Sequence, residues 1–172
     1  REASYGKSGF ALQFMLDVSL SDADKYPLKI NDFMVMSGPS SWTEAPVSVQ
    51  WASGREQIEA VKQLPNVGLK GDYWAAPMTI SNETAKWDGS VMSIDPAGRG
   101  KDETAYTVVK MLKGQLYLTA AGGLQNGYAD ESLEVLCKVA KEQKVNKIIV
   151  ESNFGDGMFT QLLKPILSRV HP

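Results

Sequence analysis

The chain has 172 residues, 43% hydrophobic and 22% charged, with a net charge of -2. That is ordinary globular composition, enough for one domain or one and a half, and it argues against disorder. The small acidic excess speaks against a module that coats nucleic acid through a basic surplus, but not against an enzyme built on a local acidic cluster. One cysteine, Cys137, and one histidine, His171, leave no internal disulfide, no cysteine-rich zinc site and no serine-histidine or cysteine-histidine hydrolase.

Apolar runs are only a few residues long, against the roughly 20 that span a bilayer, and no basic and apolar leader opens the chain, so it is expected to be soluble, intracellular and free of membrane. It begins at Arg1 without methionine and is expected to be a piece of something longer.

In chain order, residues 10–16 (FALQFML) carry apolar groups at helical spacing and predict a short helix. Residues 28–36 (LKINDFMVM) alternate as a strand does, and the cluster Gly38-Pro39-Ser40-Ser41 ends them. Residues 47–52 predict a second short strand. Ser53 and Glu56 match a capping box, and Ile58 and Val61 continue a buried stripe, so a helix of about three turns is expected up to Leu64-Pro65. Residues 68–89 show no period and are read as an irregular crossing.

From Ser90 the pattern sharpens. Residues 91–94, 104–112 and 115–121 predict three antiparallel strands, the last two joined by a tight turn at Lys113-Gly114. Asp130 is expected to cap a helix to about Gln143, with Leu133, Leu136, Cys137 and Ala140 on one face and lysines in its last turn. Residues 147–151 predict a fourth strand whose unbroken Ile148-Ile149-Val150 core suggests burial on both faces and parallel pairing. Helical spacing returns over 158–170, with Pro165 expected to kink or break it.

Three antiparallel strands, a crossover helix and a strand returning parallel to the first form the opening of an RNase H-like α/β fold with a mixed sheet. In that arrangement the ends of strands one and four lie side by side. Asp95 and Glu151 stand at those two ends, each where a hydrophobic strand meets a glycine-containing loop. Paired carboxylates on rigid elements suit a divalent-metal site for phosphate chemistry, since hard cations take oxygen ligands. The plain alternative is that Asp95 caps a turn with Pro96 and Glu151 ends a strand in solvent.

Asp102, between Arg99-Gly100-Lys101 and the second strand, reads either as an accessory metal ligand or as turn chemistry, and Asp156 as a helix N-cap. Arg99 and Lys101 either neutralise DNA phosphates or solubilise a glycine-rich loop. Gly6-Lys7-Ser8 looks like the tail of a phosphate loop, but the glycine needed five positions before Gly6 is Arg1, so the motif fails. The tryptophans are assigned to packing, and Cys137 and the methionines in apolar patterns to the core.

Nearly the whole chain, through SGFALQFMLDVSLSDADKYPLKINDFMV, WDGSVMSIDPAGRGKDETAYTVVKMLKGQLYLTAAGG and VNKIIVESNFGDGMFTQLLKPIL, resembles the large terminase subunits (DNA maturase B) of short-tailed phages. That family joins a packaging ATPase to an RNase H-like nuclease. The resemblance implies that residues 1–89 are the end of the ATPase or a hinge, that residues 90–172 are a partial nuclease core, and that Asp95 and Glu151 are catalytic metal ligands. It implies Mg²⁺ or Mn²⁺ as a two-metal cofactor and endonucleolytic cleavage of double-stranded DNA concatemers during packaging.

The implied partners are double-stranded DNA, a small terminase subunit, a portal protein and further copies in a homo-oligomeric motor, all in the host cytoplasm. The family draws a third acid from a later element, which this chain ends before reaching, so weak activity is expected of this stretch alone. Two rivals stand beside this reading. One is an actin-like or sugar-kinase-type nucleotide module, disfavoured because a long GRGKDE loop replaces its tight glycine hairpin. The other is an inactive piece serving subunit or portal contacts.

Overall fold

The computed structural model of the chain describes residues 29–38, 43–69, 71–97, 102–152 and 157–170. The helix expected over 10–16 and the Gly6-Lys7-Ser8 segment lie outside the described residues. The described chain divides into two compact units. One holds the residues up to Met36 together with Val49–Ile80, and the other holds Ser37–Ser48 together with everything from Ser81 onward. The units interleave along the sequence.

In the first unit the alternation over 28–36 does not become a strand. Ile30–Asp32 forms a 3₁₀ turn, and only Met34 makes a β-bridge, to Ala75, beside the bond from the Val35 N–H to the Ala75 carbonyl at 2.8 Å. The Asn31 side chain explains why: its Oδ1 accepts the Tyr73 N–H at 2.7 Å, a local side-chain bond that competes with ladder formation. The second predicted strand is likewise short.

Strand β1 (Glu44–Pro46) belongs to the second unit, while β2 (Val49–Gln50) pairs antiparallel with β3 (Thr79–Ile80) in the first. Helix α1 (Arg55–Glu59) is far shorter than the three turns expected. Its N-cap is Gly54 with no side-chain cap bond, so the Ser53/Glu56 capping box does not form. Beyond it the amides of Val61, Lys62 and Leu64 each bond three residues back, the tighter 3₁₀ pattern, as Pro65 disfavours helical geometry at Leu64.

The second unit opens with β1 paired antiparallel to β4 (Thr84–Lys86), inside the stretch read as irregular, and the Thr84 hydroxyl donates to Glu44 at 2.7 Å. Its main sheet has four strands: β5 (Gly89–Asp95), β6 (Thr104–Leu112), β7 (Gln115–Leu124) and β8 (Lys147–Val150), in the order β7-β6-β5-β8. β5 to β7 form an antiparallel meander, and β8 returns parallel to β5. The β6–β7 turn is made by Lys113 and Gly114 at φ of 49° and 81°, the left-handed pair that a twisted two-residue hairpin demands. A register shift at Val108/Val109 leaves Thr119 as an extra residue in β7.

Helix α2 (Asp130–Glu142) carries the chain from β7 to β8. Asp130 is not its cap: Ala129 holds that position with extended backbone and no side-chain bond, and Asp130 and Glu131 sit inside the first turn, where they complement the helix dipole. Helix α3 (Met158–Val170) runs through Pro165 without a break. Its apolar face is anchored in the core, where tertiary packing outweighs the lost backbone bond.

The core lies between one sheet face and the two helices. Met92, Ile94 and Val108 from the sheet meet Leu133, Leu136, Cys137 and Ala140 of α2 and Phe159 and Leu163 of α3. Burial pushes the Cys137 thiol pKa up, in keeping with a packing role. Lys110 is buried on the same sheet face, its ammonium 5.4 Å from the Trp87 ring, and burial together with nearby Lys144 holds its pKa below the usual lysine range.

The opposite face is different. Leu116, Leu118, Met111 and Ile149 are all exposed there, and β8 is an edge strand buried on one side only. Burial of β8 on both faces is therefore not seen, because among the described residues the two helices cover a single face.

Candidate metal centre

Side-chain alternation decides which way the site faces. In β5, Met92 and Ile94 point into the core, so Ser93 and Asp95 project from the face opposite the two helices and are exposed. Asp95 is the last residue of its ladder, paired with Ala105 of β6. Pro96 follows and cannot donate to a strand, which ends β5 there.

On the other side of Asp95 lies β8. Its register pairs Ile94 with Val150, and the Glu151 N–H donates to the Ile94 carbonyl at 2.9 Å, carrying the parallel ladder one residue past the strand. Glu151 therefore stands beside Asp95 on an adjacent chain, at a neighbouring-strand spacing of about 5 Å. It too is exposed. Two carboxylates thus leave neighbouring strand ends on one face of the sheet, and oxygen donors of this kind are what hard divalent cations prefer.

The register that aligns them is set at the opposite end of the same strand pair. Asn146 Oδ1 accepts the Ser90 N–H at 2.8 Å, the Ser90 hydroxyl donates to the Lys144 carbonyl at 2.8 Å, and the Asn146 N–H meets the Ser90 carbonyl at 3.1 Å. Ser90 is buried, so these bonds form away from competing water. A one-residue slip would turn Glu151 to the core face. Asn146→Ala is expected to destabilise the chain by about 1–3 kcal/mol, because it strands the buried Ser90 amide, and urea unfolding at constant m-value measures the loss. The clamp has a faint sequence signal, an asparagine directly before a strand, which reads equally well as turn chemistry.

The remaining candidates are more dispersed. Asp102 is exposed and lies two residues before β6, at the same end of the sheet as Asp95. Its neighbour Glu103 accepts a bond from Gln125 at 3.1 Å. Arg99, Lys101 and Asp156 lie outside the described residues. Among the described residues no group of three or more histidine, cysteine, aspartate or glutamate side chains is close enough to hold a metal.

The family model for the terminase ribonuclease H-like domain of bacteriophage T7 matches residues 94–172, starting one residue before Asp95 and containing Glu151. The terminase large subunit of Enterobacteria phage T3 is 47% identical over 171 residues, which is 99% of this chain. The chain belongs to the large-terminase family of phages. It spans 28% of the length of the T3 large subunit. The four-stranded mixed sheet with its single parallel pair is RNase H-like, as the order of predicted strands implied. Among the described residues no helix is long and apolar enough to cross a membrane.

Proposed function

We propose that this stretch of terminase supplies Asp95 and Glu151 as catalytic metal ligands of an endonuclease that cuts double-stranded DNA concatemers during genome packaging. The observation that carries the reading is the register match between Asp95 and Glu151 on adjacent parallel chains, within the segment similar to an RNase H-like terminase domain. Both carboxylates are exposed, and both rise from strand ends that the sheet holds in place, as a site that must meet a DNA backbone requires.

Two hard carboxylate donors fit Mg²⁺ or Mn²⁺. Bound there, the ions would supply Lewis-acid activation of water and stabilisation of the departing phosphodiester oxygen. The task of Asp95 and Glu151 is to present oxygens at fixed separation. Asp102 is the accessory candidate for a third oxygen ligand, and Arg99 and Lys101 are candidates for phosphate contacts in the same loop. For the intact protein the proposed partners are duplex DNA, a small terminase subunit, a portal protein and further copies of the motor subunit, in the cytoplasm of the infected host.

Manganese titration of the isotopically labelled chain tests the site directly. The amides of Ile94, Asp95 and Glu151 are expected to broaden before all others, and Asp95→Asn combined with Glu151→Gln is expected to remove that selectivity. Broadening that is uniform, or unchanged in the double variant, sinks the assignment.

A further inference from the structure

We infer that Thr104 is a positioning residue for the Asp95 carboxylate, acting by tying down the chain immediately after it; the inference rests on the metal-site reading above. Asp95 is the terminal position of its ladder, so its orientation depends on what restrains the backbone on its C-terminal side. Pro96 has no amide hydrogen to offer. The first amide after Asp95 able to anchor the chain is that of Ala97, and it donates to Thr104 Oγ1 at 2.9 Å.

Thr104 is well placed to serve as an anchor. It is the first residue of β6 and is fully buried, at 0% exposure. One side of it is fixed by the β6–β7 ladder, where it pairs with Leu124. On another side the backbone of Gly127 approaches so closely that a Cβ added there would overlap both the hydroxyl and the Cβ of Thr104. The ladder thus holds its backbone, Gly127 hems in its side chain, and its oxygen accepts the Ala97 amide. A buried hydroxyl is ordinarily hydrogen-bonded, most often to backbone. This one reaches back seven residues of sequence to hold the loop that leaves the metal strand. Metal ligands tolerate only about 0.5 Å of misplacement, so a tether two residues away bears directly on affinity.

The test is the same manganese titration, run on Thr104→Val, Thr104→Ala, Thr104→Ser and Gly127→Ala, with melting temperatures measured in parallel. Loss of the hydroxyl in the valine and alanine variants is expected to raise the manganese concentration for half-maximal broadening of Ile94 and Glu151 by about tenfold or more, the scale typical of outer-shell partners. Thr104→Ser keeps the acceptor and is expected to keep the parent midpoint despite a lower melting temperature. Gly127→Ala, which displaces the hydroxyl from the far side, is expected to resemble the valine variant.

A purely structural threonine gives a different result: melting temperatures fall while every folded variant keeps the parent midpoint, and this overturns the inference. Should valine prevent folding, the alanine and Gly127 variants decide the matter by the same criterion. If the parent chain itself shows no broadening that depends on Asp95 and Glu151, the metal-site reading fails first and the role of Thr104 falls with it.

Discussion

Asp95→Asn or Glu151→Gln, introduced into the intact terminase large subunit, is expected to lower metal-dependent cleavage of duplex DNA by about 10³-fold or more. Each substitution keeps the shape of the side chain and one carbonyl oxygen but removes the negative charge proposed to hold a divalent cation. A divalent cation held there would contribute several kcal/mol to transition-state charge stabilisation, and each 1.36 kcal/mol is a factor of ten in rate. Stability should hardly change, because both residues are exposed and surface substitutions usually stay within about 0.5 kcal/mol. Relief of repulsion between the neighbouring carboxylates acts in the same harmless direction. Plasmid cleavage in Mg²⁺ and in Mn²⁺, with thermal unfolding of the same samples, separates the two effects. Parent-like cleavage by both folded variants would place the nuclease centre elsewhere in the protein.

Phe159→Ala is expected to have the largest effect on folding, about 3–5 kcal/mol. Phe159 is 1% exposed and packs edge-on against Tyr128 with ring centroids 5.2 Å apart, in the cluster where α3 meets the sheet and α2. Truncation there removes the transfer energy of the ring, leaves a cavity and ends the aromatic contact. With total stabilities of about 5–15 kcal/mol, that is enough to unfold a marginal domain. Phe159→Leu should cost much less, because it refills most of the space. Leu116→Ala is the internal contrast: at 71% exposure on the sheet face opposite the helices it should change stability by no more than about 0.5 kcal/mol. Urea unfolding at constant m-value orders the three. A Phe159→Ala chain as stable as Leu116→Ala would contradict the packing of α3 described above.

The difference between those two positions marks the limit of sequence reading. Leu116 and Phe159 are both large and apolar in periodic segments, and nothing local distinguishes the strand face that helices cover from the one they leave open. Only the packing of α2 and α3 onto the Met92 and Ile94 face decides it. The same cause undid the expectation for β8: Ile148-Ile149-Val150 reads as a strand buried on both sides, yet its position at the sheet edge leaves Ile149 exposed.

Where signals were local, the sequence sufficed. β6 spans 104–112 as its alternation predicts, Lys113-Gly114 turns as its glycine allows, and α2 follows the 3.6-residue stripe of Leu133, Leu136, Cys137 and Ala140. The order of those elements carried the parallel return of β8 to β5, and with it the two acidic strand ends placed side by side.

Tertiary structure decided whatever depends on a bond between distant residues. Asn31 bonding to Tyr73 turned an alternating segment into a 3₁₀ turn, and the Ser90–Asn146 clamp set the register that lines up Asp95 with Glu151. Thr104 holding Ala97 is the third case. Periodicity is a property of neighbours along the chain, and it names which residues share a face; a hydrogen bond across 42 or 56 positions depends on where the whole fold brings two groups, and only the fold can supply it.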